Sequence, residues 1–299
     1  GSLGPAGISA TGGADEPVLL MVGTTPVVAW LDASSGTSQV YAKQFNGTAW
    51  VELGSGSAQG GGISAASSPV SGLAAATDGS RAALAWSEAI GGVMKVHVSE
   101  YDAGVFTLLT PAGGLGTPGL DSTGPTLAYH DGALFLAWEQ VTSMTVFDRE
   151  IHAARYAEGS WHEAGTGALA GDGVSASEKI AAAPQLASGG GRLHLVWAET
   201  RTQDGPTRQT ALCTKLWGGS GFREALPGDA VGRGIGDTRS ETTEVALTVD
   251  ASGHPFVVWQ ETADGASAIF VRGDVLDVQN VFEADGVTSV QAILNANDL

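Results

Sequence analysis

The chain holds one cysteine, Cys213, in 299 residues. That excludes an intrachain disulfide and a cysteine-based metal cluster. Basic residues are scarce as well: 14 Lys and Arg stand against 32 Asp and Glu, for a net charge of −18. Binding to nucleic acid through phosphates needs clustered cations, so nucleic acid is not an expected partner. No apolar run approaches the length that spans a bilayer, which argues against insertion as a transmembrane helix. The six histidines (His97, His130, His152, His162, His194, His254) form no His-x-His or HExxH grouping, so a zinc site has no support. GxSxG and P-loop motifs are missing too.

Glycine is abundant, at 44 residues, and Val, Thr and Ala dominate between the Gly-rich stretches. This suits many short strands joined by turns. Five strand-like runs end in a tryptophan followed by polar or acidic residues: Val28-Ala29-Trp30-Leu31-Asp32, Leu84-Ala85-Trp86-Ser87-Glu88, Leu136-Ala137-Trp138-Glu139-Gln140, Leu195-Val196-Trp197-Ala198-Glu199 and Val257-Val258-Trp259-Gln260-Glu261. They recur at roughly 50–60 residues, and a fixed period of this size marks an array of one supersecondary unit.

Each unit reads as four strands. Before the Trp strand comes a strand through Pro17–Val22, Gly72–Thr77, Pro125–His130, Pro184–Ser188 or Thr243–Val249, closed by turns such as Asp78-Gly79 and Asp131-Gly132. A third strand aligns at Val40–Lys43, Val96–Ser99, Ile151–Ala154, Leu212–Lys215 and Ile269–Arg272. The fourth carries one aromatic: Trp50, Phe106, Trp161, Phe222 or Phe282. Gly-rich connectors (Gly60–Ser64, Gly173–Ser175, Gly234–Gly236) open the next unit, and Gly7-Ile8-Ser9 opens the first. Four antiparallel strands repeated five times predict an all-β fold, a five-bladed β-propeller, with each Trp as a plug between blades. The units run over about 7–61, 62–118, 119–172, 173–233 and 234–286. Residues 1–6 read as a tag or linker and 287–299 as a tail or cap.

The Trp-x-acid strand ends and the aromatic fourth strands resemble bacterial propeller repeats of the sialidase-like and lectin-like kind, over residues 7–285. The resemblance implies a sugar-binding lectin, an adhesin module or a glycosidase. The sialidase turn Ser-x-Asp-x-Gly-x-x-Trp is not matched. Asp32-Ala33-Ser34-Ser35-Gly36 approximates it, but before the third strand instead of after it.

Strand direction places the loops after the Trp strands and the Gly-rich connectors on one face. Asp32, Glu88, Glu139, Glu199 and Glu261 share that rim. In four units the acid lies two residues after its Trp and points the same way; Glu139 is out of phase, and Gln140 takes its place. These acids either accept hydrogen bonds from connector amides or form a ring that binds sugar hydroxyls or Ca²⁺, which takes oxygen ligands. The long loops of units three and four add Arg149, and Arg201, Asp204 and Arg208, as candidate ligand contacts.

The expectation is a non-enzymatic extracellular or cell-surface binding module, carbohydrate-binding or adhesive. It needs no cofactor, with Ca²⁺ as an optional ion and a glycan or other extracellular surface ligand as partner. The alternatives are a glycoside hydrolase or polysaccharide lyase with an acidic site at the central opening, and a scaffold domain of a larger surface protein.

Overall fold

The structure, a computed structural model, describes residues 7–143, 148–177, 179–202, 209–225, 228, 230, 234–237, 241–263 and 266–273. Its strands form five antiparallel sheets in chain order. Blade one is β1 (Ala14–Val22), β2 (Thr25–Asp32), β3 (Gln39–Phe45) and β4 (Trp50–Glu52). Blade two is β5 (Val70–Thr77), β6 (Ala82–Ile90), β7 (Val93–Asp102) and β8 (Val105–Leu108). Blade three is β9 (Ser122–His130), β10 (Ala133–Ser143), β11 (Asp148–Ala157) and β12 (Ser160–Glu163). Blade four is β13 (Ala181–Gly189), β14 (Arg192–Thr202), β15 (Gln209–Trp217) and β16 (Phe222–Arg223), and β17 (Gly236–Asp237) of the following connector pairs with β15. Blade five contributes β18 (Glu241–Val249), β19 (Pro255–Ala263) and β20 (Ala266–Gly273). Its fourth-strand position, read at Phe282, lies outside the described residues, as does the tail 287–299. The first strands β1, β5, β9, β13 and β18 pack side by side in that order as the inner wall. This is the five-bladed β-propeller that the repeat predicts.

Strand alternation builds the core. On β10, Leu134, Leu136 and Trp138 face blade two, while Ala133, Phe135 and Ala137 face blade four. Each later tryptophan enters the preceding blade in the same way: Trp86 packs on blade one, Trp197 on blade three and Trp259 on blade four. Trp86, Trp138 and Trp197 are all but fully buried. One side chain of this size removes roughly 150–250 Å² from water, so the tryptophan is a large apolar contribution to each of these seams. The aligned third-strand position lies against the Trp ring. Tyr41, His97, His152 and Phe270 have centroids 5.8–6.1 Å from their tryptophans. Cys213 fills that position in blade four and is fully buried.

The connectors clip neighbouring blades together. Ile63, Leu115, Val174 and Ile235 donate their N–H groups to the third-strand carbonyls of Val40, Val96, Ile151 and Leu212 at 2.6–2.8 Å. The residue before each is a glycine with φ between +59° and +70° (Gly62, Gly114, Gly173, Gly234). A Cβ there would stand 2.0–3.1 Å from the same carbonyl oxygen, so only glycine allows the approach.

Candidate functional site

Every inner strand carries a β-bulge near its start. The register slips between Asp15 and Val18, Ser71 and Ala74, Thr123 and Thr126, Ala182 and Gln185, and Thr243 and Ala246. Within each bulge one residue is left-handed: Glu16 (φ 45°), Gly72, Gly124, Ala183 and Glu244 (φ 53°). For a residue with a Cβ that conformation costs roughly 1–2 kcal/mol. Bulges re-aim side chains, and strain of this kind collects at functional positions. Three blades fill the position with Gly or Ala. Blades one and five place a glutamate there, at the connector end of the central opening.

Two carboxylates are held on this ring of bulges. Glu16 Oε2 accepts the N–H of Leu73, beside the bulge glycine of the next blade, at 2.7 Å. Glu139 Oε1 accepts the N–H of Ala183 on β13 at 2.9 Å, and Glu139 Oε2 receives Arg149 Nη1 at 3.1 Å. A Cβ on Gly124 would lie 3.3 Å from Glu139 Oε1, so Glu139 sits between the bulges of blades three and four. Its side chain is 15% exposed and that of Arg149 48%, which leaves the pair reachable from solvent. The Gly72 and Gly124 bulges touch each other, with an ideal Gly72 Cβ 3.9 Å from Gly124 Cα. A continuous path of inner-strand backbone thus joins the Glu16 and Glu139 carboxylates. Glu244 is exposed on the same ring.

The other acids of the sequence reading point into the seams. Asp32 is buried and accepts from Thr11 Oγ1, from the Ser34 N–H at 2.8 Å and from Trp30 Nε1 at 3.4 Å. Burial pushes its pKa up, but these donors outweigh that and hold the carboxyl below its ordinary value. Glu88 is buried and accepts the connector N–H of Ser67 at 3.1 Å. Glu199, also buried, lies 3.5 Å from Lys179 Nζ and 3.9 Å from Cys213 Sγ. Glu261 accepts from Trp259 Nε1 at 2.8 Å. Gln140 plays this part in blade three, accepting from Trp138 Nε1, the Thr117 N–H and Ser122 Oγ at 2.8–3.2 Å. Glu139 is held instead on the inner-strand bulges, by the Ala183 N–H and beside Gly124. Arg201 stands near the end of β14, and its side chain, like Asp204 and Arg208, lies outside what is described. Arg272 of the Arg-Gly-Asp tripeptide donates to the Ile235 carbonyl, and Asp274 is outside the described residues. Among the described residues no group of three or more His, Cys, Asp or Glu is placed to hold a metal ion.

Glu16 and Glu244 were missed by reading Trp strands alone. Their signal was available: aligned by unit, each occupies a position that other repeats give to Gly72, Gly124 or Ala183.

No protein-family model and no curated protein matches the chain. Solved structures do. A sialidase described as Hadza microbial sialidase Hz136 is 12% identical, with 93% of this chain and 57% of that chain covered and a TM-score of 0.51. An α-L-arabinofuranosidase from Fusarium graminearum, in complex with an iminosugar inhibitor, is also 12% identical, with 86% and 80% covered and a TM-score of 0.50. An endo-arabinase from Bacteroides thetaiotaomicron is 14% identical over 92% of this chain and 98% of that one, at a TM-score of 0.46. The first two likenesses establish a shared propeller fold. They also overturn the expectation of a non-enzymatic binding module, because the propellers that this chain resembles are enzymes acting on sugars. The physical reason for the error lies in the rim acids. Glu139 is out of phase with the other four, yet all five were grouped as one ligand-binding rim, whereas the structure hydrogen-bonds Glu139 to the bulge residue Ala183 of the inner wall.

Proposed function

We propose that the chain is a glycoside hydrolase whose reaction takes place at the connector end of the central opening. The observation that carries this reading is Glu139, turned away from its tryptophan and fixed by the Ala183 N–H and Arg149 beside the inner-strand bulges. In most glycoside hydrolases cleavage uses two carboxyl groups, one to protonate the leaving oxygen and one to activate water or attack the sugar carbon; sialidases put a tyrosine in the nucleophile's place. Glu139 and Glu16 fill these places, with Glu244 next on the ring. Arg149, half-exposed beside Glu139, orients that carboxylate and offers remaining donors to sugar hydroxyls. The sialidase and the arabinofuranosidase with the same fold support a glycan substrate. A polymeric glycan also suits action outside the cell or at its surface.

The test is release of chromophore from a panel of aryl arabinofuranosides, sialosides and other aryl glycosides. We expect turnover of at least one of them. Glu139→Gln should lower kcat/KM by about 10²–10⁴-fold with an unchanged melting temperature, and Glu16→Gln by a similar factor. A chain inert on the whole panel and on polysaccharides, or one whose activity survives both substitutions, would overturn the reading. Fractionation of the producing cells checks the location.

A further inference from the structure

Four seams of the propeller are clipped by a connector. The first connector, Gly7-Ile8-Ser9-Ala10, repeats the sequence of Gly62-Ile63-Ser64-Ala65 and differs from Gly173-Val174-Ser175-Ala176 only in Ile for Val. Its backbone repeats them as well. Gly7 has φ +57° against +61° at Gly62 and Gly173, and Ala10, Ala65 and Ala176 have φ of 58°, 44° and 49°. Its own blade also holds it in the standard way. Lys43 Nζ donates to the Ile8 carbonyl at 2.8 Å, as Lys215 does to Val174 at 2.5 Å and Arg272 to Ile235. Lys43 and Lys215 each stand 5.9 Å from the ring of their blade's tryptophan.

What differs is the far side. A Cβ on Gly62, Gly173 or Gly234 would strike a third-strand carbonyl, but a Cβ on Gly7 would meet nothing within 4 Å. By the repeat, the missing partner is Ile269 of β20. Its counterparts Val40, Val96, Ile151 and Leu212 are fully buried, while Ile269 is 70% exposed. The two faces beside this gap are apolar, and none of the described residues covers them. On blade one, Leu19 and Met21 register with Val28 and Pro26, opposite the face that carries Leu20 and Val27 into the seam with blade two. On blade five, Ile269 and Val271 register with Gln260 and Val258, opposite the face that buries Val257 and Trp259 against blade four. Leu19 is 72% exposed and Val271 69%, where the other seams bury such groups.

We propose that Gly7-Ile8-Ser9-Ala10 clips onto β20 and docks the open face of blade one on that of blade five, closing the ring. The Ile8 N–H then donates to the Ile269 carbonyl. Ser9 Oγ accepts the Ile269 N–H, as Ser64 Oγ accepts from Val40 and Ser175 Oγ from Ile151. The occupant of each face is the other end of the same chain, and continuity with four existing seams identifies it. Closure also sets the β18 bulge beside the β1 bulge, as Gly72 already lies against Gly124, so Glu244 comes next to Glu16. The clip itself stands whether or not these glutamates act on sugars.

Two measurements on the 299-residue chain test it. Gly62→Ala puts a Cβ 2.3 Å from a carbonyl oxygen, while Gly91→Ala, at φ +61° with nothing within 4 Å, carries the backbone strain alone. A closed ring makes Gly7→Ala melt with Gly62→Ala, about 2–4 °C or more below Gly91→Ala. A short bismaleimide on Ser9→Cys/Ala268→Cys should then link the two positions within one chain, since Cys213 is buried. If Gly7→Ala melts with Gly91→Ala and no cross-link forms, the ring is open and the proposal fails. Cross-links between chains, with a dimer or chain of molecules in solution, overturn it in favour of a second copy on the seam.

Discussion

Blades one and three build the same clip with one atom changed. In blade one, Gln39 lies under the connector. Its Oε1 accepts from Ser64 Oγ and from the Ala66 N–H, both at 2.7 Å, and its Nε2 donates to the Ala66 carbonyl at 2.9 Å. In blade three the equivalent residue is Glu150. Its Oε2 accepts from Ser175 Oγ and from the Ser177 N–H at 3.4 Å, but among the described residues the buried Oε1 has no hydrogen-bond partner. An amide satisfies both ends of this pocket and a carboxylate only one. Burial accordingly pushes the Glu150 carboxyl up to about 8, against the pull of the Ser175 and Ser177 donors. The two clips share a connector geometry set by backbone and serine and differ in the side chain beneath, which in blade three is titratable.

The largest expected effect comes from erasing the difference. Glu150→Gln should let Nε2 donate to the connector as Gln39 does. A carboxyl whose folded pKa lies above its unfolded value of about 4.5 binds more protons folded than unfolded. Its contribution is fully present below pH 4.5, is lost as pH rises towards 8, and changes no further above that. Inside the window the loss is about 1.4 kcal/mol per pH unit. Glu150→Gln should therefore match the parent at low pH and melt progressively higher up to about pH 8, in thermal scans across pH 5–9. A parallel pair of curves would show that Glu150 does not titrate in this window.

The reverse exchange acts on blade one with the opposite sign. Gln39→Glu removes the donor to the Ala66 carbonyl and leaves a buried acceptor without a partner, a cost of about 1–3 kcal/mol. It should import the pH dependence of blade three into blade one, with stability falling between mildly acidic and alkaline pH. Denaturant titrations at pH 5 and pH 8.5 check this: the midpoint should drop more, relative to the parent, at the higher pH.

The clip also shows what a repeat can reveal from sequence. The Trp period, the Gly-Ile-Ser connectors and the aligned third strands were legible, because each recurs wherever the same contact recurs. Lys43, Lys215 and Arg272 could be aligned at the strand ends, yet their part as donors to connector carbonyls depends on a path through space that sequence does not display. The candidate site was harder for a related reason. Function sits where the repeat is broken, and a break shows only against an alignment of the units. The offset of Glu139 from the Trp+2 position was visible as a parity change. The left-handed backbone of Glu16 and Glu244 was not, since nothing local in Glu16-Pro17 or Glu244-Val245 distinguishes a bulge from a regular strand.

The smallest effect separates the two serines. Ser64→Ala and Ser175→Ala each strip a third-strand N–H, at Val40 and Ile151, of its hydroxyl partner. The shared cost is about 0.5–1.5 kcal/mol for each lost hydrogen bond. In blade one Gln39 keeps the Ala66 N–H and stays neutral, so the loss is the same at every pH. In blade three Ser175 is also the closer of the two donors that pull the Glu150 carboxyl down. Without it the folded pKa rises further, and ionisation costs more. The two variants should thus be equally destabilised at pH 5, and Ser175→Ala should fall behind only as Glu150 ionises, above about pH 8. Urea midpoints measured side by side at pH 5, 7 and 9 resolve this. A gap that is already present at pH 5, or one that never opens, would mean that the serine serves the strand amide alone and not the carboxylate beneath it.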